Sequence, residues 1–186
     1  MDDSVVFSDD ETIGGSTHQA WRILTVDDDP DFQRATAFAI SEMDILGRRV
    51  EITQAFSNRE AAMLLAEQQD FALVLLDVVM ETEDAGLRLV KTLREVIGNA
   101  EIRIVLLTGE PGMAPVQSVM RDYDINDYWS KSELSAERLR TVLTAGLRSY
   151  SQLKATARAR RGLQMIVESS NCLLYTSDAA DERSSV

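Results

Sequence analysis

Five side chains of this 186-residue chain combine into one phosphoryl-transfer chemistry: Asp27, Asp28, Asp77, Thr108 and Lys131. Asp77 directly follows Leu73-Val74-Leu75-Leu76, an apolar run that would hold its carboxylate rigidly at the end of a buried strand. A carboxylate so placed can attack phosphorus and form an acyl phosphate. Taken alone, it reads more readily as a helix cap or a loop charge. Asp27 and Asp28 end another apolar run, and like charges ~4 Å apart repel by about 4 kcal/mol at an effective dielectric of about 20. Three clustered acids therefore call for a cation. Mg²⁺ suits them, because it prefers hard oxygen ligands and pairs carboxylates with substrate phosphate. Lys131 offers an ammonium that can pair with Asp77 before reaction and with phosphate afterwards. Thr108 offers a hydroxyl donor, and Gly109 beside it leaves the backbone room to approach.

These side chains meet only if a sheet brings them together. In an open parallel α/β sheet the carboxyl ends of the strands share one edge, where ligands bind. The apolar runs predict strands over residues 22–26, 50–56, 71–76, 103–107 and 127–129. Helical spacing of Phe32, Ala35, Ala39, Ile40 and Met43 predicts a first helix over 32–46. Pro30 is well placed near its start, with Asp29 or Asp31 serving its N-terminus. Ser57-Asn58-Arg59-Glu60 is a capping box opening a helix that runs to 68. A third helix spans 86–97, with Gly98 as its C-terminal cap, and a short one spans 115–122. A fifth begins near Ser135 and continues past Arg148 without a break. Its stretch 148–161 carries five basic residues (Arg148, Lys154, Arg158, Arg160, Arg161) and no acid. That reads as a signalling helix or linker leading to a further domain, the alternative being a solvated basic helix face.

Composition narrows the partners. Apolar content of 45% and charged content of 27% are globular values. A net charge of −12 argues against nucleic acid or an anionic membrane as partner. The N-terminus is acidic (Asp2, Asp3, Asp9, Asp10, Glu11), unlike a signal peptide. No apolar run approaches the ~18 residues of a membrane span. The single Cys172 excludes an internal disulfide, and the single His18 excludes a histidine metal cluster. A cytoplasmic location is expected. Residues 1–20 lack periodicity and read as a disordered acidic tail, and 21–149 form the βα unit. Residues 150–171 read as a helical linker or the start of a truncated domain. Residues 172–181 resemble the translation of a sequencing-library adapter. That implies a non-native tail over 172–186, a natural frame lost near Asn171, and a Cys172 that carries no redox information.

Residues 21–149 resemble the receiver domain of bacterial two-component response regulators. The resemblance rests on Ile23-Leu24-Thr25-Val26-Asp27-Asp28-Asp29-Pro30, Val74-Leu75-Leu76-Asp77-Val78-Val79-Met80, Leu106-Leu107-Thr108-Gly109 and Tyr128-Trp129-Ser130-Lys131. It implies a doubly wound, flavodoxin-like (βα)5 fold with a five-stranded parallel sheet, strand order 2-1-3-4-5, here with an extended C-terminal helix. It also implies Mg²⁺ at Asp27, Asp28, Asp77 and the Val79 carbonyl. Asp77 becomes the phosphoacceptor for a histidine kinase or phosphotransfer protein, Thr108 and Lys131 its phosphate partners, and Tyr128 the aromatic switch. The face of the fourth and fifth helices is where a partner or a second copy, forming a homodimer, would dock. The chain departs from the usual pattern in two places. Glu81 stands where many receivers have proline, in a loop (80–86) one residue longer than usual, and Ser132 follows Lys131 where many have proline. Asp77-Val-Val-Met-Glu-Thr-Glu-Asp-Ala-Gly-Leu-Arg-Leu89 and Asp122-Tyr-Asp-Ile-Asn-Asp-Tyr-Trp-Ser-Lys-Ser-Glu-Leu134 resemble a particular subgroup. In it the receiver precedes a sensor-like domain of unknown function, and often an HD-GYP cyclic-di-GMP phosphodiesterase domain, absent from this fragment. The fragment itself is then a phosphoacceptor signalling domain and not an enzyme. Two rival readings are a degenerate receiver that only docks, and a haloacid dehalogenase-type phosphohydrolase. The latter wants a second Asp where Val79 stands.

Overall fold

The computed structural model describes residues 19–109 and 117–181, with side chains over 19–109 and 120–166. His18, the acidic tail before it, Pro115 and the side chain of Cys172 lie outside the described residues. The elements alternate as the apolar pattern requires: β1 (Trp21–Val26), α1 (Pro30–Ser41), β2 (Asp44–Ile45), β3 (Arg48–Ala55), α2 (Asn58–Glu67) and β4 (Leu73–Asp77). There follow α3 (Ala85–Lys91) with a π-turn (Thr92–Val96), β5 (Arg103–Thr108), α4 (Gln117–Asp122), β6 (Asp127–Ser130), a 3₁₀ turn (Lys131–Glu133) and α5 (Ala136–Asp181).

Six strands form one sheet in the order β2-β3-β1-β4-β5-β6. The five expected strands are parallel and keep the expected order. The addition is β2, which pairs antiparallel with β3. The first helix was expected to reach residue 46, yet it stops at Ser41. Leu46 (φ 55°) and Gly47 (φ 73°) form a two-residue turn with both φ positive, the geometry that joins antiparallel strands. Leucine is costly in that region. Its neighbour Ile45 is buried, and the Ile45 carbonyl accepts the Trp21 indole N–H at 2.8 Å.

Alternation along the strands divides the core in two. Leu24, Val26, Val74, Leu76, Ile104 and Leu106 face a cluster with Ala61, Leu65, Leu89, Val90 and Leu93 of α2, α3 and its π-turn. Ile23, Leu73, Leu75, Val105 and Leu107 face the other side, with Ile40 of α1 and Leu139, Val142, Leu143 and Leu147 of α5. Strands covered on both faces are continuously apolar for this reason. A Cβ on Gly146 would come 2.4 Å from Leu73 Cδ1, so this glycine lets α5 lie close on β4. α5 then continues unbroken past Tyr150, whose ring meets Trp21 edge-on at 6.4 Å.

The third helix was expected to be regular over 86–97. It widens instead at Thr92–Val96 before Gly98 (φ 72°) ends it. Arg94 lies in this wider turn and donates to the carbonyls of Asn99, Ile102, Tyr123 and Asp124 at 2.6–3.1 Å. One guanidinium thus fastens two loops. Arg94→Met should leave four carbonyls without this donor and cost about 2–4 kcal/mol, since a hydrogen bond to a charged group contributes about 1.5–3 kcal/mol and the sites overlap. Urea unfolding of the variant against the parent measures this.

Candidate functional site

The parallel register brings the three acids to one edge. Asp27 directly follows β1, where its backbone N–H reaches the Ala55 carbonyl at 3.1 Å. Asp77 ends β4 opposite Leu107, and Val78 N–H then reaches the Leu107 carbonyl at 2.9 Å. Asp27 and Asp77 are both buried and Asp28 is exposed, with one carboxylate oxygen from each of the three within 4.8 Å of the others.

Lys131, from the turn after β6, joins this cluster. Its Nζ donates to Asp77 Oδ2 at 2.7 Å and lies 2.7 Å from Asp27 Oδ2. The second contact is an ion pair with no aligned hydrogen bond, so Asp27 Oδ2 is a buried oxygen still short of a donor. The same ammonium lies 4.7 Å from the centre of the Phe32 ring. Burial pushes the Asp27 and Asp77 carboxyls above the ordinary range, opposed by the adjacent Lys131 ammonium. On Lys131 burial acts downward, but the two carboxylates outweigh it and its pKa is raised. Three carboxylates against one ammonium leave two negative charges, the complement of a divalent cation. All-oxygen donors, one of them orphaned, fit a hard ion such as Mg²⁺.

Thr108 ends β5 and is fully buried. Tyr128 packs partly buried against the α2/α3 core, and its hydroxyl is buried with no hydrogen-bond partner. Val79 donates its N–H to Asp77 Oδ1 at 3.2 Å. Asp29, not Asp31, caps α1: its Oδ1 accepts from Asp31 N and Phe32 N at 2.8 and 3.2 Å. Asp27 Oδ1 in turn accepts from Asp29 N at 3.0 Å, which orients the carboxylate.

The two departures from the usual loop sequences have structural substitutes. Glu81 Oε1 accepts the Asn58 N–H at 3.0 Å, tying the loop after Asp77 to the start of α2. Ser57 Oγ accepts the Glu60 N–H at 3.2 Å as the capping box requires, while the Glu60 carboxylate reaches back to Phe56 N. No peptide bond among the described residues is cis, so Lys131–Ser132 is trans. Ser130 and Ser132 hydroxyls hydrogen-bond at 2.8 Å across it.

Two positioning residues escaped the sequence reading. Gln33 Nε2 donates to the carbonyls of Thr25, Asp27 and Ala55 at 3.2, 3.2 and 2.9 Å, and Gln33 Oε1 accepts the Thr25 hydroxyl at 2.6 Å. It stitches β1 to β3 directly behind Asp27. In sequence it is one polar residue on a helix, and no pattern marks it as buried. Gly86 stands in the sequence only as a helix start. A Cβ there would meet the Asp77 carbonyl oxygen at 2.2 Å and Val78 Cα at 2.9 Å. Backbone cannot yield as a side-chain tip can, so Gly86→Ala should cost about 1–3 kcal/mol and loosen the Asp77 carboxylate. Urea unfolding and Mg²⁺ titration on one sample read the two effects.

The raised carboxyl pKa values also set a pH dependence. A folded-state pKa above the unfolded value, about 3.9 for Asp, contributes stability at low pH that is lost as pH rises through the folded value. In EDTA, Asp77→Asn should therefore gain stability relative to the parent between about pH 4 and pH 7. Paired denaturation curves at the two pH values give the sign.

Comparison with known proteins agrees with this geometry. A family model described as response regulator receiver domain matches residues 23–144, and a domain of unknown function matches 143–182. The second match runs across the adapter-like residues. Over 154 residues the chain is 40% identical to the 3'3'-cGAMP-specific phosphodiesterase 2 of Vibrio cholerae, covering 83% of this chain and 30% of that protein. The chain thus spans less than a third of this curated relative. Among solved structures it is similar to an adenylate cyclase from Rhodopirellula baltica (18% identity, TM-score 0.66, covering 76% of this chain and 98% of that one). It is also similar to the signal receiver domain of an HD domain-containing protein from Pseudomonas fluorescens Pf-5 (20% identity, TM-score 0.59, covering 72% and 99%). These two likenesses speak to the fold.

Proposed function

Because this chain belongs to the response regulator receiver domain family, we propose that Asp77 is its phosphoacceptor and that phosphorylation controls an output domain beyond α5. The observation that carries the proposal is the buried Asp77 sharing one ammonium with Asp27 beside Asp28. Asp27, Asp28 and Asp77, with the Val79 carbonyl, would hold Mg²⁺, which when bound neutralises charge on the phosphoryl oxygens.

The donor is a phosphohistidine of a histidine kinase or phosphotransfer protein. An Asp77 carboxylate oxygen attacks phosphorus in line, and the P–N bond breaks with its electron pair on the leaving imidazole, which takes up a proton. The product is an acyl phosphate. Lys131, already at the site, and Thr108 at the end of the neighbouring strand then bind phosphoryl oxygens. Inward movement of Thr108 makes room for Tyr128, whose hydroxyl has no hydrogen bond to give up. The surface of α4, β6 and α5 is thereby biased toward one of two states, and the phosphate must bind that state better.

The Vibrio relative is named as a 3'3'-cGAMP phosphodiesterase. Together with the subgroup resemblance, that supports an output that hydrolyses a cyclic dinucleotide, whether cGAMP or cyclic-di-GMP. Among the described residues no helix is long and apolar enough to cross a membrane.

Incubation with acetyl phosphate and Mg²⁺ should add the mass of one phosphoryl group to the intact protein, stable to acid and labile to base. Asp77→Asn should take none, and EDTA should prevent labelling. Equal labelling of Asp77→Asn would remove Asp77 from the role.

A further inference from the structure

A groove of about 500 Å³ opens at the edge of the sheet opposite Asp77, between the strand starts and α5. The chain enters it at Gln19. Its walls carry Arg22, Arg48, Lys154 and Arg158 against a single acid, Asp70. Two of these cations are already paired, Arg22 with Asp70 and Gln68, and Lys154 with Glu101 at 2.7 Å. Arg48 and Arg158 have no carboxylate partner among the described residues. Arg48 is held in place by its stacking on Trp21, 4.3 Å from the ring centre. Arg158 is exposed on α5, past Lys154.

A basic groove is unexpected in a chain of net charge −12, which repels free polyanions. The same chain supplies an anion beside it. Asp2, Asp3, Asp9, Asp10 and Glu11 precede the groove, and no lysine or arginine occurs before Arg22. The eight peptide links from Glu11 to Gln19 can span on the order of 25 Å, enough to cross a groove of this size. A tethered segment acts at an effective concentration of about millimolar, which a free anion would have to match.

We propose that this groove is a docking site for the acidic segment 2–11 of the chain itself, engaged by Arg48 and Arg158. The first is on the sheet and the second on α5, so the docked segment would bridge the receiver body and the helix that leaves it. It would thereby bias the direction in which α5 exits.

The two tryptophans report on opposite edges of the sheet. NMR of the full chain is compared with a variant carrying Asp2→Asn, Asp3→Asn, Asp9→Asn, Asp10→Asn and Glu11→Gln. At low salt the Trp21 indole N–H and the amides of Arg48, Tyr150 and Arg158 should shift, while the Trp129 indole should not. The difference should vanish at ~1 M salt, where screening acts within about 3 Å. Arg158→Glu, an exposed substitution, should reproduce the shifts of the Trp21 indole and the Arg48 amide in the parent and leave those two resonances unchanged in the neutralised chain. Unshifted groove resonances, or shifts that survive high salt, would overturn the proposal. ADP serves as a free polyanion probe and should perturb the groove only in the neutralised chain, or in neither. Equal perturbation of both chains would assign the groove to free anions instead.

Discussion

One ammonium placed between two buried carboxylates sets the terms for the rest of this molecule. Lys131 lies 2.7 Å from both Asp27 and Asp77, and without it two like charges would face each other in a poorly solvated cleft. Coulomb repulsion at such range is several kcal/mol unless solvent or counter-charge screens it. Lysine supplies part of that counter-charge and leaves the site doubly negative. The residual charge makes the cluster an attractive place for a divalent cation, whose charge a phosphoryl group approaching Asp77 would need.

Holding that cluster together is what the sheet does. The three charged groups come from the ends of β1 and β4 and the turn after β6, which lie on one edge because all three strands run parallel. Apolar layers on both faces hold those ends in register. Close behind, Gln33 fills hydrogen-bonding needs at the β1–β3 seam, and Gly86 allows the loop after Asp77 to fold back against its own backbone. The same sheet supports α5 through Leu73 and Gly146, and the helix runs on past that contact.

Much of this was legible in the chain. Strand ends were marked by apolar runs that stop at acids, Thr108 or the Lys131 turn, and those signals need only local sequence. The hairpin of β2 was not legible, because Leu46 is a poor candidate for positive φ and the turn is anchored by Trp21, distant in sequence, whose indole N–H reaches the Ile45 carbonyl. The π-turn at Thr92–Val96 was hidden for a similar reason: its residues are ordinary helix formers, and the partners of Arg94 lie partly beyond β5. In sequence Gln33 is one polar residue within a helix and Gly86 stands at a helix start, and neither position carries a local signal of its role.

The sequence by itself determined the alternation of strands and helices, the identities of the acids, hydroxyl and ammonium, and their order along the chain. Such features follow from side-chain chemistry and from periodicities of a few residues. Tertiary structure alone decided which acid caps α1 and which faces the lysine, that Asp27 and Asp77 are buried enough to have raised pKa values, and that a glutamine and a glycine position them. Those outcomes depend on distances between residues dozens of positions apart, and only the packed sheet fixes such distances.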